Sequence, residues 1–190
     1  MNLPNKLTIL RVFLIPIFVV LFYVQAIPYN FILSAVVFAL AAFTDFLDGY
    51  IARKYNLVTD MGKFLDPIAD KVLVSTALIV MLVPPKGVEI VPWYAGIMVA
   101  IILARELVIS GFRLVAAGKG KVISADKSGK FKTFFTDLSI LFMLVSAQIT
   151  PNIFDTTNYI SIALLGISTL LTAYSGIECI VKNKGVIVTA

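Results

Sequence analysis

The sequence predicts an all-α fold, a polytopic membrane protein with six transmembrane helices and both termini in the cytoplasm. Three observations carry that prediction. Hydrophobic residues fill 59% of the 190 positions and charged ones only 14%, with a mean hydropathy of +0.97, which leaves too little polar surface to coat a soluble globule. Apolar runs near the ~20 residues that cross a bilayer recur along the chain. Lysine and arginine fall almost entirely on one side of the membrane that those runs define.

Taken in order, the first run extends from Leu7 to about Ile27, and the second from Phe31 to about Asn56, crossing lipid mainly before Asp45. The third runs from Gly62 to Val83, the fourth from Trp93 to about Ala117, the fifth from Phe131 to Ile149 and the sixth from Tyr159 to Ile180. Turn residues separate them: Pro28 with Asn30, Pro84-Pro85-Lys86-Gly87, Gly118 to Gly120, and Pro151-Asn152. Thr59 or Asp60 can cap the third helix. Pro67, about one turn inside it, deprives the Lys63 carbonyl of its usual donor and favours a bend. The first run is long enough to span and lacks a convincing small-residue cleavage site, so it reads as a membrane helix rather than a signal peptide. No repeat, low-complexity tract or linker divides the chain, which reads as one domain over residues 1–190.

With the amino terminus inside, Lys86 alone of the 16 cationic residues falls on the outer side. Trp93 and Tyr94 suit an outer interfacial anchor. The net charge of +5 therefore belongs to the cytoplasmic face, where it attracts anionic headgroups; nothing in its distribution points to nucleic acid. One cysteine, Cys179, excludes an internal disulfide, and the lack of any histidine argues against zinc sites and histidine-based triads.

Against this greasy background stands a cluster of four aspartates, Asp45, Asp48, Asp66 and Asp70. Residues advance ~100° per position around a helix, so Asp45, Asp48, Gly49 and Ala52 share a ~100° arc, and Gly62, Asp66 and Asp70 share one of ~80° on the next helix. The short connection between the helices makes them antiparallel neighbours whose acidic stripes can face each other. Converging carboxylates repel unless protonated, paired or neutralised by cations. Oxygen-only ligands suit Mg²⁺, Mn²⁺ or Ca²⁺, and two divalent ions balance four carboxylates. Such a pair clamps phosphoryl groups. Gly49 and Ala52 would let a ligand approach the helix backbone, and Arg53 offers a two-pronged fork for phosphate, so the pattern fits a diphosphate. A wholly structural role for all four acids is the weaker reading, because ionisable groups within membrane segments are costly and concentrate at functional sites.

Asp45-Phe-Leu-Asp48-Gly49-Tyr-Ile-Ala52-Arg53, then eight residues, then Gly62-x-x-x-Asp66-x-x-x-Asp70, resembles the signature of the CDP-alcohol phosphotransferase family. The resemblance implies a six-helix membrane enzyme, a homodimer, that uses divalent cations to join an alcohol to the phosphoryl group of a CDP-linked donor and release CMP. It implies that Asp45, Asp48, Asp66 and Asp70 hold two Mg²⁺ or Mn²⁺ ions and that Asp70 is also the general base. By the same resemblance Asp48, Gly49, Ala52 and Arg53 contact the CDP moiety, and Gly62 admits close approach of the third helix.

A second basic cluster, Arg105, Arg113, Lys130 and Lys132, flanks the loop around Gly118 to Gly129. Cations there satisfy the positive-inside rule on their own account, yet they could also grip a phosphate on the acceptor. The stretch "ARELVISGFRLVAAGKGKVISADKSGKFKT" and the opening "NLPNKLTILR" are similar to the branch of the family whose donor is CDP-diacylglycerol and whose acceptor is glycerol 3-phosphate. That likeness implies acceptor-phosphate roles for Arg105, Arg113 and Lys130, then Lys132, and places Thr8 and Arg11 on the nucleotide side. Glu178 and Lys182, four apart, read as a local ion pair, Glu106 as a positioning partner of Arg105, and Asp137 as facing the cavity or pairing with Lys130 or Lys132. Two other readings stay open: the same chemistry with phosphatidylglycerol or an inositol phosphate as acceptor, and a cation or proton transporter using the aspartates as a relay, which leaves Gly49, Ala52 and Arg53 unexplained.

Overall fold

The computed structural model describes the backbone of residues 3–55, 60–119, 127–149 and 156–183, and the side chains within those segments except at residues 3, 4, 46, 52, 53, 60–67, 127–130, 156 and 157. Six helices follow one another: α1 (Leu3–Tyr23), α2 (Asn30–Lys54), α3 (Asp60–Leu82), α4 (Ala95–Gly118), α5 (Lys127–Ile149) and α6 (Thr156–Lys182). No strand occurs among the described residues. Among the described residues, five helices, α1, α2, α4, α5 and α6, contain stretches long and apolar enough to cross a membrane. The 23 residues of α3 reach ~34 Å at 1.5 Å per residue, and the charges in its first half, Asp60, Lys63, Asp66, Asp70 and Lys71, are what set it apart.

The six expected runs are these six helices, with ends displaced by a few residues. The largest displacement is in α1, which starts at Leu3 rather than Leu7 and stops at Tyr23 rather than near Ile27. Val24 to Tyr29 are apolar enough to have continued the run, but they form the turn: Tyr29 takes a left-handed φ of 57°, and Asn30 Nδ2 donates to the free Phe22 carbonyl at 3.1 Å. In the next connection Val88 N–H closes a turn onto the Pro85 carbonyl at 3.2 Å, and Gly87 supplies the φ of +82° that this reversal requires. Trp93 projects into the surroundings, 86% exposed, edge-on to Tyr94, as an interfacial anchor does.

Packing is dominated by two helix pairs, α1 with α2 and α5 with α6, joined by α1 on α3, α4 on α6 and α2 on α5. Buried positions on α1 recur at Asn5, Thr8, Arg11, Ile15, Phe18 and Phe22, a stripe of three- and four-residue steps that lies along one helix face. Its far end is aromatic, with Phe18, Phe22, Phe31 and Phe38 packed ring against ring. Its near end is polar. The α5–α6 seam is built from small hydroxylated residues: Ser139 Oγ donates to the Ser161 carbonyl at 3.1 Å, Thr136 bonds Ser168, and Ser146 donates to Asn158 at 2.7 Å. Small side chains let membrane helices approach closely, and their hydroxyls are satisfied across the seam. Large apolar side chains such as Phe13, Leu107, Leu114 and Leu170 point outward, as expected where lipid is the solvent.

Candidate active site

The polar end of the α1 stripe meets the acidic stripe of α2. Arg11 is fully buried, and its fork reaches two of the four aspartates: Nη2 donates to Asp48 Oδ2 at 2.6 Å, and Nη1 lies 2.8 Å from Asp45 Oδ1, an ion-pair contact whose alignment is not that of a hydrogen bond. Nε donates to the Ala41 carbonyl at 3.3 Å and to Thr44 Oγ1 at 3.4 Å, while Thr8 Oγ1 donates to Asp48 Oδ2 at 3.5 Å. Asp48 is 2% exposed, whereas the Asp45 side chain is 42% exposed. One carboxylate is thus locked inside and its neighbour opens outward.

On α3, Asp70 is partly buried and within electrostatic reach of Asp45, Arg11, Lys71 and Lys132. Asp45, Asp48 and Asp70 are therefore brought into one neighbourhood, with Thr8 and Arg11 among them and Gly49 partly buried beside Asp48. Ala52 and Arg53 on α2, Gly62 and Asp66 on α3, and Lys130 on α5 have helical backbones, but their side chains lie outside the described residues. Lys54, also in the motif region, leans on the rings of Tyr50 and Tyr55 at 5.5 and 5.7 Å.

A cavity of about 40 Å³ joins this acidic end to the second basic cluster, with Asp70, Lys71, Glu106, Lys132, Thr133 and Thr136 in its wall. That volume admits a few small polar groups. Behind the wall Arg105 Nη1 lies 3.2 Å from Glu106 Oε1, and Lys132 ion-pairs with the same carboxylate oxygen. Lys71 Nζ donates to Ser110 Oγ, whose own hydroxyl donates back to the Glu106 carbonyl. Arg105 Nη2 donates to Ser175 Oγ on α6 at 2.8 Å. Among the described residues, Arg113 Nε is buried with no hydrogen-bond partner.

Glu106 thus bridges Arg105 and Lys132, a role wider than partner to Arg105 alone. Asp137 does not pair with Lys132, which is committed to Glu106; its Oδ1 is buried without a partner among the described residues, and it lies within electrostatic reach of Asp70 and Asp45. The expected ion pair of Glu178 and Lys182 is present at 2.6 Å. The sequence likeness placed Arg11 on the nucleotide side, but its part as the counterion of Asp45 and Asp48 was missed. The available signal was an arginine within the buried stripe of α1. No pattern in sequence pointed to Ser175 or to the Glu106 bridge.

Among the described residues no three acidic side chains converge as a metal cage; the fourth member of the expected set, Asp66, is outside them. The donor chemistry nonetheless fits hard divalent cations, being carboxylate oxygen throughout with no histidine in the chain. Among the described residues Asp45 and Asp48 share one buried guanidinium, and the three groups together carry a net negative charge.

Residues 1–174 match the CDP-alcohol phosphatidyltransferase family, to which the chain belongs. It is 39% identical to the CDP-diacylglycerol--glycerol-3-phosphate 3-phosphatidyltransferase of Bacillus subtilis (strain 168), covering 96% of this chain and 95% of that one. Relatives of the same name from Rickettsia bellii (strain RML369-C), 39% identical over 92% of both chains, and Salmonella paratyphi A (strain ATCC 9150 / SARB42), 35% identical over 97% and 96%, extend the likeness along nearly the whole length.

Proposed function

We propose that this protein transfers the phosphatidyl group of CDP-diacylglycerol to glycerol 3-phosphate, giving phosphatidylglycerophosphate and CMP, in the synthesis of anionic phospholipid. The observation that carries the reading is the cavity in which Asp70 shares a wall with Lys71 and Lys132. It sets a carboxylate able to take a hydroxyl proton beside cations able to hold the phosphate on the same small acceptor. The names of the bacterial relatives supply the two substrates.

In the proposed step the terminal hydroxyl oxygen of the acceptor bonds to the phosphatidyl phosphorus, the bond from that phosphorus to the bridging oxygen of CMP breaks, and CMP departs with the electron pair. Asp70 accepts the hydroxyl proton. Arg105, Arg113, Lys130 and Lys132 orient the acceptor through its phosphate. Asp45, Asp48, Asp66 and Asp70 would hold two divalent cations, Mg²⁺ or Mn²⁺, whose chemistry is to polarise the phosphoryl centre and offset charge on the leaving group. Gly49, Ala52, Arg53, Gly62, Thr8 and Arg11 form the nucleotide side; among them Arg11 keeps Asp45 and Asp48 oriented.

The distribution of lysine and arginine supports a site at the cytoplasmic face of the cell membrane, with the acyl chains of the donor remaining in lipid. The functional unit in this reading is a homodimer. Purified protein given CDP-diacylglycerol, glycerol 3-phosphate and Mg²⁺ or Mn²⁺ should release CMP and form a lipid bearing the acceptor's phosphate. Absence of CMP under every metal tried would overturn the assignment. A greater rate with phosphatidylglycerol or an inositol phosphate would keep the chemistry and change the acceptor.

A further inference from the structure

We infer that Ser175 and Gly176 of α6 are positioning residues that seat Arg105 for the acceptor's phosphate, an inference that rests on the acceptor-side role just proposed for Arg105. Arginine carries a long stem with several rotatable bonds, and unless something fixes it the guanidinium samples many positions. Here α6 fixes it in two ways.

The first is steric. Gly176 lies directly under the stem: a Cβ at that position would sit 2.9 Å from Arg105 Cγ, 3.4 Å from Nε and 3.7 Å from Cδ. A clash with Cγ differs from one at the tip of a side chain, because relieving it means rotating near the root and swinging the whole guanidinium. Any residue other than glycine would therefore push Arg105 off this seat.

The second is polar. Ser175, 4% exposed, donates its own hydroxyl hydrogen to the Thr172 carbonyl at 3.3 Å, which leaves its oxygen to accept from Arg105 Nη2 at 2.8 Å. Glu106 takes Nη1 at 3.2 Å. Of the five N–H donors of an arginine, Nε is packed against Gly176 and has no partner among the described residues. Ser175 and Glu106 occupy one hydrogen each on the terminal nitrogens. Among the described residues, one hydrogen on each terminal nitrogen is left for a further acceptor such as a phosphate oxygen.

The test is steady-state kinetics on the full chain in detergent, varying each substrate at saturating levels of the other. Gly176→Ala should raise the KM for glycerol 3-phosphate on the order of ten-fold, with a smaller change in kcat and none in the KM for CDP-diacylglycerol. Ser175→Ala adds no bulk and keeps the experiment informative if Gly176→Ala fails to fold; it should raise the same KM about three-fold. Gly166→Ala on the same helix, where an added Cβ meets nothing within 4 Å, should leave both constants unchanged. In an Arg105→Ala background, Gly176→Ala should cost nothing further, since the residue it displaces is gone.

If Arg105→Ala itself leaves the acceptor KM unchanged, the proposed role of Arg105 fails. If Arg105→Ala raises that KM while Gly176→Ala and Ser175→Ala do not, the seat alone is overturned. A Gly176→Ala penalty that persists without Arg105 would mark a helix-packing effect and also overturn it.

Discussion

The two polar regions of this membrane bundle are built on opposite plans. At the α1–α3 end, three described carboxylates, Asp45, Asp48 and Asp70, face one buried guanidinium, Arg11. At the α4–α6 end cations predominate: Arg105 and Lys132 pair with Glu106, Arg113 stands near Arg105, and Lys71 of α3 and Lys132 lie within reach of Asp70. The two halves carry excess charge of opposite sign, offset in part where Asp70 meets Lys71 and Lys132. Burying unbalanced charge is expensive, so each half is prepared for a counterion from solution: cations for the acidic end and a phosphate for the basic end. Asp70 and Lys132 share the cavity where the halves meet, and a reaction between a diphosphate and a phosphorylated alcohol needs just that adjacency.

The largest expected effect is at the junction. Asp70→Asn keeps size and hydrogen-bonding capacity but removes the proton acceptor, and it should lower kcat by about three orders of magnitude. CMP release in a single-turnover assay reports the loss, while binding of CDP-diacylglycerol should weaken far less. Near-normal turnover would detach Asp70 from the chemistry and break the link between the two halves.

Next comes the acidic half. Arg11→Ala strands Asp48 in the interior without the guanidinium it pairs with, and breaking a buried pair in this way typically costs ~3–5 kcal/mol. Chemical denaturation in detergent measures it. Added Mg²⁺ should recover part of the lost stability if the acids are a cation site, and no recovery at any concentration would count against that reading. A smaller effect is expected in the basic half, where Arg113→Ala should raise the acceptor KM by ~10–100-fold, the loss of a charge-assisted contact, and leave the donor KM unchanged. Equal effects on both substrates would erase the distinction between the halves.

How much of this was legible in the sequence follows the distance over which each feature is encoded. The six helices were readable because each is a local apolar run, although the first was placed four residues late at both ends: Val24 to Ile27 are hydrophobic but are spent on a turn fixed by Tyr29 and Asn30. The acidic stripes were readable because helical arithmetic relates residues three and four apart. Arg11, 34 and 37 positions from Asp45 and Asp48, and Ser175, 70 positions from Arg105, were not, since only tertiary packing brings them in. Asp137 shows the converse: Lys132 was close in sequence and plausible as its partner, but in the bundle its long side chain reaches across to Glu106 of α4.

The smallest predicted effect isolates what the comparison rests on. Glu178 and Lys182 on α6 are 2.6 Å apart, the same separation as Arg11 and Asp48, so bond length alone would rank the two pairs as equals. The Lys182 side chain is 58% exposed and that of Arg11 is not exposed at all. Water and salt screen the former, and its reference state loses little on rupture, so Lys182→Ala should change stability by only ~0.3–0.5 kcal/mol. The effect should also fade in high salt, whereas that of Arg11→Ala should persist. Measured side by side by denaturation in detergent, similar losses for the two variants would mean that Arg11 is solvated in the protein, and the acidic half would then carry no unmet demand for cations.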